Sequence, residues 1–261
     1  MTDAPVWDPR QYSRFEAERD RAALDLLVRL PADLNPREIW DLGCGAGQHA
    51  ALLKRRHPDA TVRGLDSSAA MLDQGRALDV AVDWRLGDIA GWTPEAPVDL
   101  ILANASLHWV PDHEGLFPRL AGALASGGVL AVQMPPDDTA HHRVLEMTAG
   151  EGPWAESLVG AGRPAPLLSP DRYFDLLAPL CRPVDLWSTT YLHALGGADP
   201  VLEWMKGAAL RPYLSRLESD PVMMSAFLEA LGAALSRAFP RRDDGVTLLP
   251  FPRLFLVARR R

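Results

Sequence analysis

The chain has 261 residues, of which 48% are hydrophobic, and carries a formal net charge of −7. That balance argues against a nucleic-acid partner, which selects a basic face, and no run of about 18 apolar residues offers a membrane span. Two cysteines, Cys44 and Cys181, are too few for a disulfide framework or a four-ligand zinc site.

The length suits one large α/β domain, or one domain carrying an insertion. The first residues, Met1 to Asp8, lack a basic stretch followed by an apolar one, so a cytoplasmic protein is expected. Lys54 and Lys206 are the only lysines, and arginine supplies nearly all the positive charge. Genomic base composition accounts for that bias, and so does a need to clamp planar anions; position decides between them.

In chain order, Trp7 to Tyr12 reads as a loop with aromatic anchors. Phe15, Ala23, Leu26, Leu27 and Leu30 fall at helical spacing and predict a helix over about 13–30. After the linker 31–36 the pattern alternates. The expected elements are strand 37–42, helix 48–57, strand 61–66, helix 68–78, strands 82–86 and 98–104, helix 112–125 and strand 128–134. Such alternation predicts a parallel sheet with helices on both faces. Beyond Met134 the rhythm breaks. A helix over 140–149, another over 170–180, a strand over 184–195, a helical block over 199–239 and a closing apolar strand over 246–258 are expected. The division expected is an N-terminal arm and helix over 1–36 that cover a site, a nucleoside-binding core over 37–134, and a remainder over 135–261 whose helical insertions form a lid.

The chemistry concentrates at strand ends. Asp41-Leu42-Gly43-Cys44-Gly45-Ala46-Gly47 ends a buried strand on a carboxylate and breaks into a glycine turn ahead of a helix, an arrangement that binds nucleotides. Gly45-x-Gly47-x-x-Ala50 also fits the dinucleotide pattern, with Asp66 about 20 residues on, so a nicotinamide oxidoreductase competes. Asp41 tips the reading toward S-adenosylmethionine. A carboxylate beside a pyrophosphate is repelled, whereas one beside a cationic ammonium is attracted. Asp66 and Ser67 end the second strand, where the acid can receive both ribose hydroxyls; helix capping competes for Asp66. Asp88 can accept from an adenine amino group, with Ile89 supporting the ring. Asn104 ends the fourth strand beside the methionine part. His108 and Trp109 divide between site lining and packing, and Cys44 reads as a small turn residue, not a nucleophile. No metal-ligand spacing is present.

The chain resembles the bacterial trans-aconitate 2-methyltransferases over nearly its full length. The resemblance rests on Trp7-Asp8-Pro9-x-x-Tyr12, Phe15-x-x-Glu18-Arg19-x-Arg21, Asp41-Leu42-Gly43-Cys44-Gly45, Asn104-Ala105-Ser106-Leu107-x-Trp109-x-Pro111-Asp112-His113, Val129 to Pro135, Trp187-x-Thr189-x-Tyr191-x-His193, Leu210-Arg211-Pro212 and Phe251 to Arg260. It departs at Ala22 and Ala46, where the family tends to have Pro, at Pro136 to Thr139, and at Ala208 in place of Thr. The resemblance implies a Rossmann-like seven-stranded methyltransferase sheet with an antiparallel last strand. It also implies S-adenosylmethionine as donor and a small polycarboxylate acceptor that leaves as a monomethyl ester; O- or C-methylation of another small acceptor is the alternative. A monomer or homodimer with no nucleic-acid or membrane partner is expected.

A carboxylate is ionised at neutral pH and needs no general base, so no catalytic dyad or triad is expected. Arginines then hold the carboxylates that do not react, since a cation on the attacking one blunts it. The candidates for the acceptor are Arg19, Arg21, Tyr191, His193 and Arg211. Tyr12 or His108 can orient the reacting groups, Tyr12 can also close over the cofactor, and Arg253 is read as structural.

Overall fold

The structure, a computed structural model, describes residues 16–136, 138–162, 165–207 and 209–261. The arm at 7–12, including Tyr12, lies outside the described residues, as do the side chain of Arg19 and Ala208.

The elements follow the sequence pattern closely. Helix α1 spans Glu16–Val28, followed by β1 (Glu38–Leu42), α2 (Gln48–Arg56), β2 (Thr61–Asp66), α3 (Ala69–Arg76), β3 (Asp83–Leu86) and β4 (Val98–Asn104). Then come α4 (His113–Gly122), β5 (Leu124–Met134), α5 (Ala140–Gly150), α6 (Ala155–Leu158), α7 (Pro170–Leu177) and β6 (Cys181–Leu195). Helices α8 (Pro200–Lys206), α9 (Arg211–Leu217) and α10 (Pro221–Ala238) precede β7 (Thr247–Arg260). The seven strands form one sheet in the order β3-β2-β1-β4-β5-β7-β6. Pairings among β1 to β5 are parallel, and β7 runs antiparallel to β5. This is the doubly wound, seven-stranded sheet expected.

The central strands are apolar on both faces because helices cover both. Leu100, Ile101, Leu102 and Ala103 of β4 are fully buried, as are Val129 to Val132 of β5. Local signals set the helix ends. Ser68 caps α3 by accepting from the Met71 N–H, Asp112 caps α4 through Gly115, and Thr139 caps α5 through His142. The helical block expected over 199–239, read as two pieces about Val201 to Leu210 and Phe227 to Leu235, is three helices, interrupted after Lys206 and at Glu218 to Asp220.

The chain divides into two compact units. The larger holds Arg19–Pro135, Pro164–Thr189 and Arg253–Arg261; the smaller holds Met1–Glu18, Pro136–Arg163 and Thr190–Pro252. Each has its own apolar core. In the larger, Leu42, Ile101, Phe117, Leu130 and Leu256 belong to one cluster; in the smaller, Leu145, Trp154, Trp204, Phe227 and Leu231 do. No helix among the described residues is long and apolar enough to cross a membrane.

Candidate active site

In the larger unit the glycine turn leaves β1 with its backbone tied to the next strand. The Gly43 and Cys44 N–H groups both donate to the Leu65 carbonyl, at 2.7 and 3.0 Å. Gly43, Gly45 and Gly47 all have positive φ, at 73°, 55° and 85°, a region that side chains disfavour. Their surroundings differ. A Cβ on Gly43 would lie 2.3 Å from Ser106 Cβ, and one on Gly47 would lie 2.3 Å from the Trp84 ring. A Cβ on Gly45 meets nothing within 4 Å among the described residues. Gly43 and Gly47 therefore close the fold, while Gly45 borders open space where a ligand can approach the main chain.

Asp41 is 1% exposed, and its Oδ2 has no hydrogen-bond partner among the described residues. Burial pushes its pKa up to about 6; the charge of His49 opposes the shift and that of Asp66 adds to it. Asp66 holds the turn from the neighbouring strand. Its Oδ2 accepts from the Gly45 N–H at 2.8 Å and its Oδ1 from the Ser68 N–H at 2.8 Å. The cap of α3 is Ser68, so Asp66 braces the turn and keeps lone pairs available. Burial raises its pKa against these hydrogen bonds. Burial, with Asp41 and Asp66 beside it, pushes the Cys44 thiol far up, and a thiol held protonated is no nucleophile.

Asp88 is exposed and caps a short 3-10 turn over Ile89–Gly91, accepting from the Ala90 N–H at 2.9 Å. Ile89 is buried beneath Gly43. The Arg119 guanidinium fixes that turn by donating to the carbonyls of Trp92, Ile89 and Ala90. Ser67 is exposed beside Asp66. Asn104 ends β4 with its Oδ1 buried and unpartnered. Ser106 donates to the Leu42 carbonyl at 2.6 Å, pinning the loop after β4 to the end of β1. His108 is buried in a 3-10 turn with its ring 5.0 Å from Trp109. His113 locks the same loop: Nε2 donates to the Leu107 carbonyl at 2.9 Å, which leaves Nδ1 to accept from the Tyr173 hydroxyl at 2.6 Å. Arg21 is exposed on α1.

The strand register assembles these groups. Asp41 pairs with Gly64 and Leu102, Asn104 with Gln133, and Gln133 with Phe255. Opposite partners share a sheet face, as do residues two apart on a strand. Asp41, Asp66, Asn104, Gln133 and Arg253 therefore lie on one face. Composition and motif spacing missed Ser106, Trp84, Arg119 and Gln133, whose roles depend on register.

In the smaller unit, Tyr191 and His193 share a face of β6, with stacked rings 6.2 Å apart. The His193 ring, 1% exposed, stacks on Trp204 of α8 at 4.6 Å and lies 5.6 Å from Phe251 of β7. His141 of α5 stacks on the other neighbour, Phe251, at 5.1 Å and reaches Thr139 Oγ1 at 3.3 Å. Arg211 is the half-buried first residue of α9. Sequence reading did not single out His141. Among the described residues no group of three or more His, Cys, Asp or Glu is arranged to hold a metal ion.

A family model described as a methyltransferase domain matches residues 39–128, the stretch that holds the glycine turn and all three strand-end acids. The YcgJ protein of Bacillus subtilis superposes with a TM-score of 0.57 at 13% identity, over 92% of this chain and 99% of that one, a likeness of fold. The family match and the relatives that follow define an S-adenosylmethionine-dependent methyltransferase with a Rossmann-like sheet. Within that class the chain belongs to the trans-aconitate 2-methyltransferase family. It is 48% identical to the trans-aconitate 2-methyltransferase of an Azoarcus species, over 97% of this chain and 99% of that protein. It is equally 48% identical to the Methylobacterium radiotolerans protein of the same name, over 97% and 98%.

Proposed function

We propose that this protein transfers the methyl group of S-adenosylmethionine to one carboxylate of trans-aconitate, giving a monomethyl ester. The observation that carries the reading is 48% identity to the Azoarcus trans-aconitate 2-methyltransferase along 97% of the chain. An oxygen lone pair of the acceptor attacks the methyl carbon, the carbon–sulfur bond breaks, and the sulfonium leaves as a neutral thioether. An anion and a cation neutralise each other in this step, so a site that excludes water favours it. The carboxylate is already ionised, and the work left to the protein is alignment, which can supply about 7–11 kcal/mol.

The bound cofactor supplies the electrophilic methyl. Its holders are assigned on the strand tips: Asp41 to the methionine ammonium, Asp66 with Ser67 to the ribose hydroxyls, Asp88 to the adenine amino group and Ile89 to the ring. Gly43, Gly45 and Gly47 let the backbone approach, and Asn104 and Tyr12 complete the set. The residues present suit a cationic ligand: a buried carboxylate with an unpartnered oxygen stands at the end of β1, beside a glycine with open space before it. Arg19, Arg21, Tyr191, His193 and Arg211 are assigned to the acceptor, with His108 orienting it. The protein acts in the cytoplasm, as a monomer or homodimer, without nucleic acid or membrane.

The test is a mass-spectrometric screen with labelled methyl donor against trans-aconitate, cis-aconitate, citrate and isocitrate. Methyl ester formed from trans-aconitate with the highest kcat/KM is the expected result. Preference for a non-carboxylate acceptor, or no turnover of any of these acids, overturns the proposal.

A further inference from the structure

Gln133 is a buried polar side chain that the assignments above leave unused. It sits at the penultimate position of β5, between Val132 and Met134, and is 0% exposed. Neither its Oε1 nor its Nε2 has a hydrogen-bond partner among the described residues. A buried primary amide with both ends unsatisfied is costly, and a leucine or methionine of similar size fills such a place without that cost. The register places Gln133 directly opposite Asn104 of β4, whose Oδ1 is also buried and unpartnered. Two neutral amides thus stand side by side at neighbouring strand tips, on the face that carries Asp41 and Asp66.

Asn104 is already assigned to the cofactor, and the order of the sheet bears on which ligand Gln133 meets. Asp66 and Asp41 lie on β2 and β1, and β4 and β5 follow in the sequence β3-β2-β1-β4-β5. Strands are spaced about 4.8 Å apart, so Gln133 stands roughly 10 Å across the sheet from Asp41. That is two strands beyond the carboxylate assigned to the ammonium, which leaves the acceptor as the ligand for Gln133. The chemistry agrees. A guanidinium on the attacking carboxylate would lower its reactivity, whereas a neutral amide donates one hydrogen bond, orients the group and leaves a lone pair free.

We propose that Gln133 is an acceptor-binding residue, whose amide N–H donates to the carboxylate that is methylated. The inference rests on the reading of the protein as a carboxyl methyltransferase. The test uses the full chain, with Gln133→Leu and Gln133→Met. Each variant is measured for turnover of trans-aconitate, for calorimetric affinity toward S-adenosylhomocysteine, and for melting temperature. The expected result is a KM for trans-aconitate raised about 10- to 100-fold, an adenosylhomocysteine affinity within about twofold of wild type, and a melting temperature equal to or above it. An unchanged KM in a folded variant overturns the inference, as does parallel loss of both ligands or failure of both variants to fold. Absence of wild-type turnover on trans-aconitate overturns the parent reading instead and removes this inference with it.

Discussion

Asp41 is a carboxylate the fold keeps at a cost. Burial raises its pKa from 3.8 to about 6, so the folded chain binds a proton that the unfolded chain releases. Stability from this group is therefore greatest below the unfolded value of about 4 and falls as pH rises to about 6; above that the penalty is constant, on the order of 3 kcal/mol. A bound ammonium offsets it by favouring the charged form. Asp41→Asn is then expected to raise the urea midpoint of the ligand-free protein at pH 7.5, to flatten its fall between pH 4 and 6, and to weaken S-adenosylhomocysteine binding about tenfold or more. Urea titrations at both ends of that range, with calorimetry at pH 7.5, check all three. A lowered midpoint at pH 7.5 would show that Asp41 is structural. Asp66 differs, because both of its oxygens already accept backbone N–H groups. Asp66→Ala is expected to lower stability and cofactor affinity together.

The glycine turn joins elements, and Gly45 and Gly47 make separable contributions to it. Gly45→Ala adds a methyl where nothing stands within 4 Å, so the fold bears only the left-handed backbone strain of about 1–2 kcal/mol, while cofactor affinity falls. Gly47→Ala drives a Cβ into the Trp84 ring, which also packs on Gly64 and Gly75. It is expected to cost about 3 kcal/mol or more, of which Trp84→Leu in the same chain recovers part. Denaturation midpoints and adenosylhomocysteine titrations on the three variants test the division; equal losses at Gly45 and Gly47 would contradict it. The turn also marks where sequence reading reaches its limit. Strand β2, Thr61–Asp66, and strand β4, Val98–Asn104, were legible to the residue because Val62 and Leu65 of the one, and Leu100 to Ala103 of the other, lead into a terminal polar side chain ahead of a turn. The contacts of Ser106 with Leu42, of Trp84 with three glycines and of Gln133 with Asn104 were not. Each depends on which strand lies beside which, and local pattern carries no register between strands separated by tens of residues. The two pieces read over 199–239 proved to be three helices for a related reason: apolar residues continue through the break after Lys206, and only Gly207 marks it.

At the scale of the whole molecule the reaction is a meeting of charges, and that fixes its pH dependence. Arg211→Ala is expected to raise the KM for trans-aconitate about tenfold or more while leaving adenosylhomocysteine affinity unchanged; equal loss of both contradicts an acceptor role. The more searching measurement separates two kinetic parameters. An acceptor carboxylate with an ordinary pKa near 4 is ionised throughout the neutral range, so kcat at saturating S-adenosylmethionine should stay flat from about pH 6 to 9. By contrast kcat/KM for S-adenosylmethionine reports the free enzyme, where Asp41 titrates at about 6. Protonation there removes the charge assigned to the cofactor ammonium, so this parameter should fall tenfold per unit on the acid side of that pKa. Asp41→Asn should abolish the limb, leaving a lower, level profile. A histidine acting as base, His108 or His193, predicts the reverse: an acid limb in kcat that persists at saturating cofactor and survives Asp41→Asn. Rate profiles of wild type and that one variant, taken at high and low cofactor, therefore decide between alignment of an ionised acceptor and general-base activation of a hydroxyl.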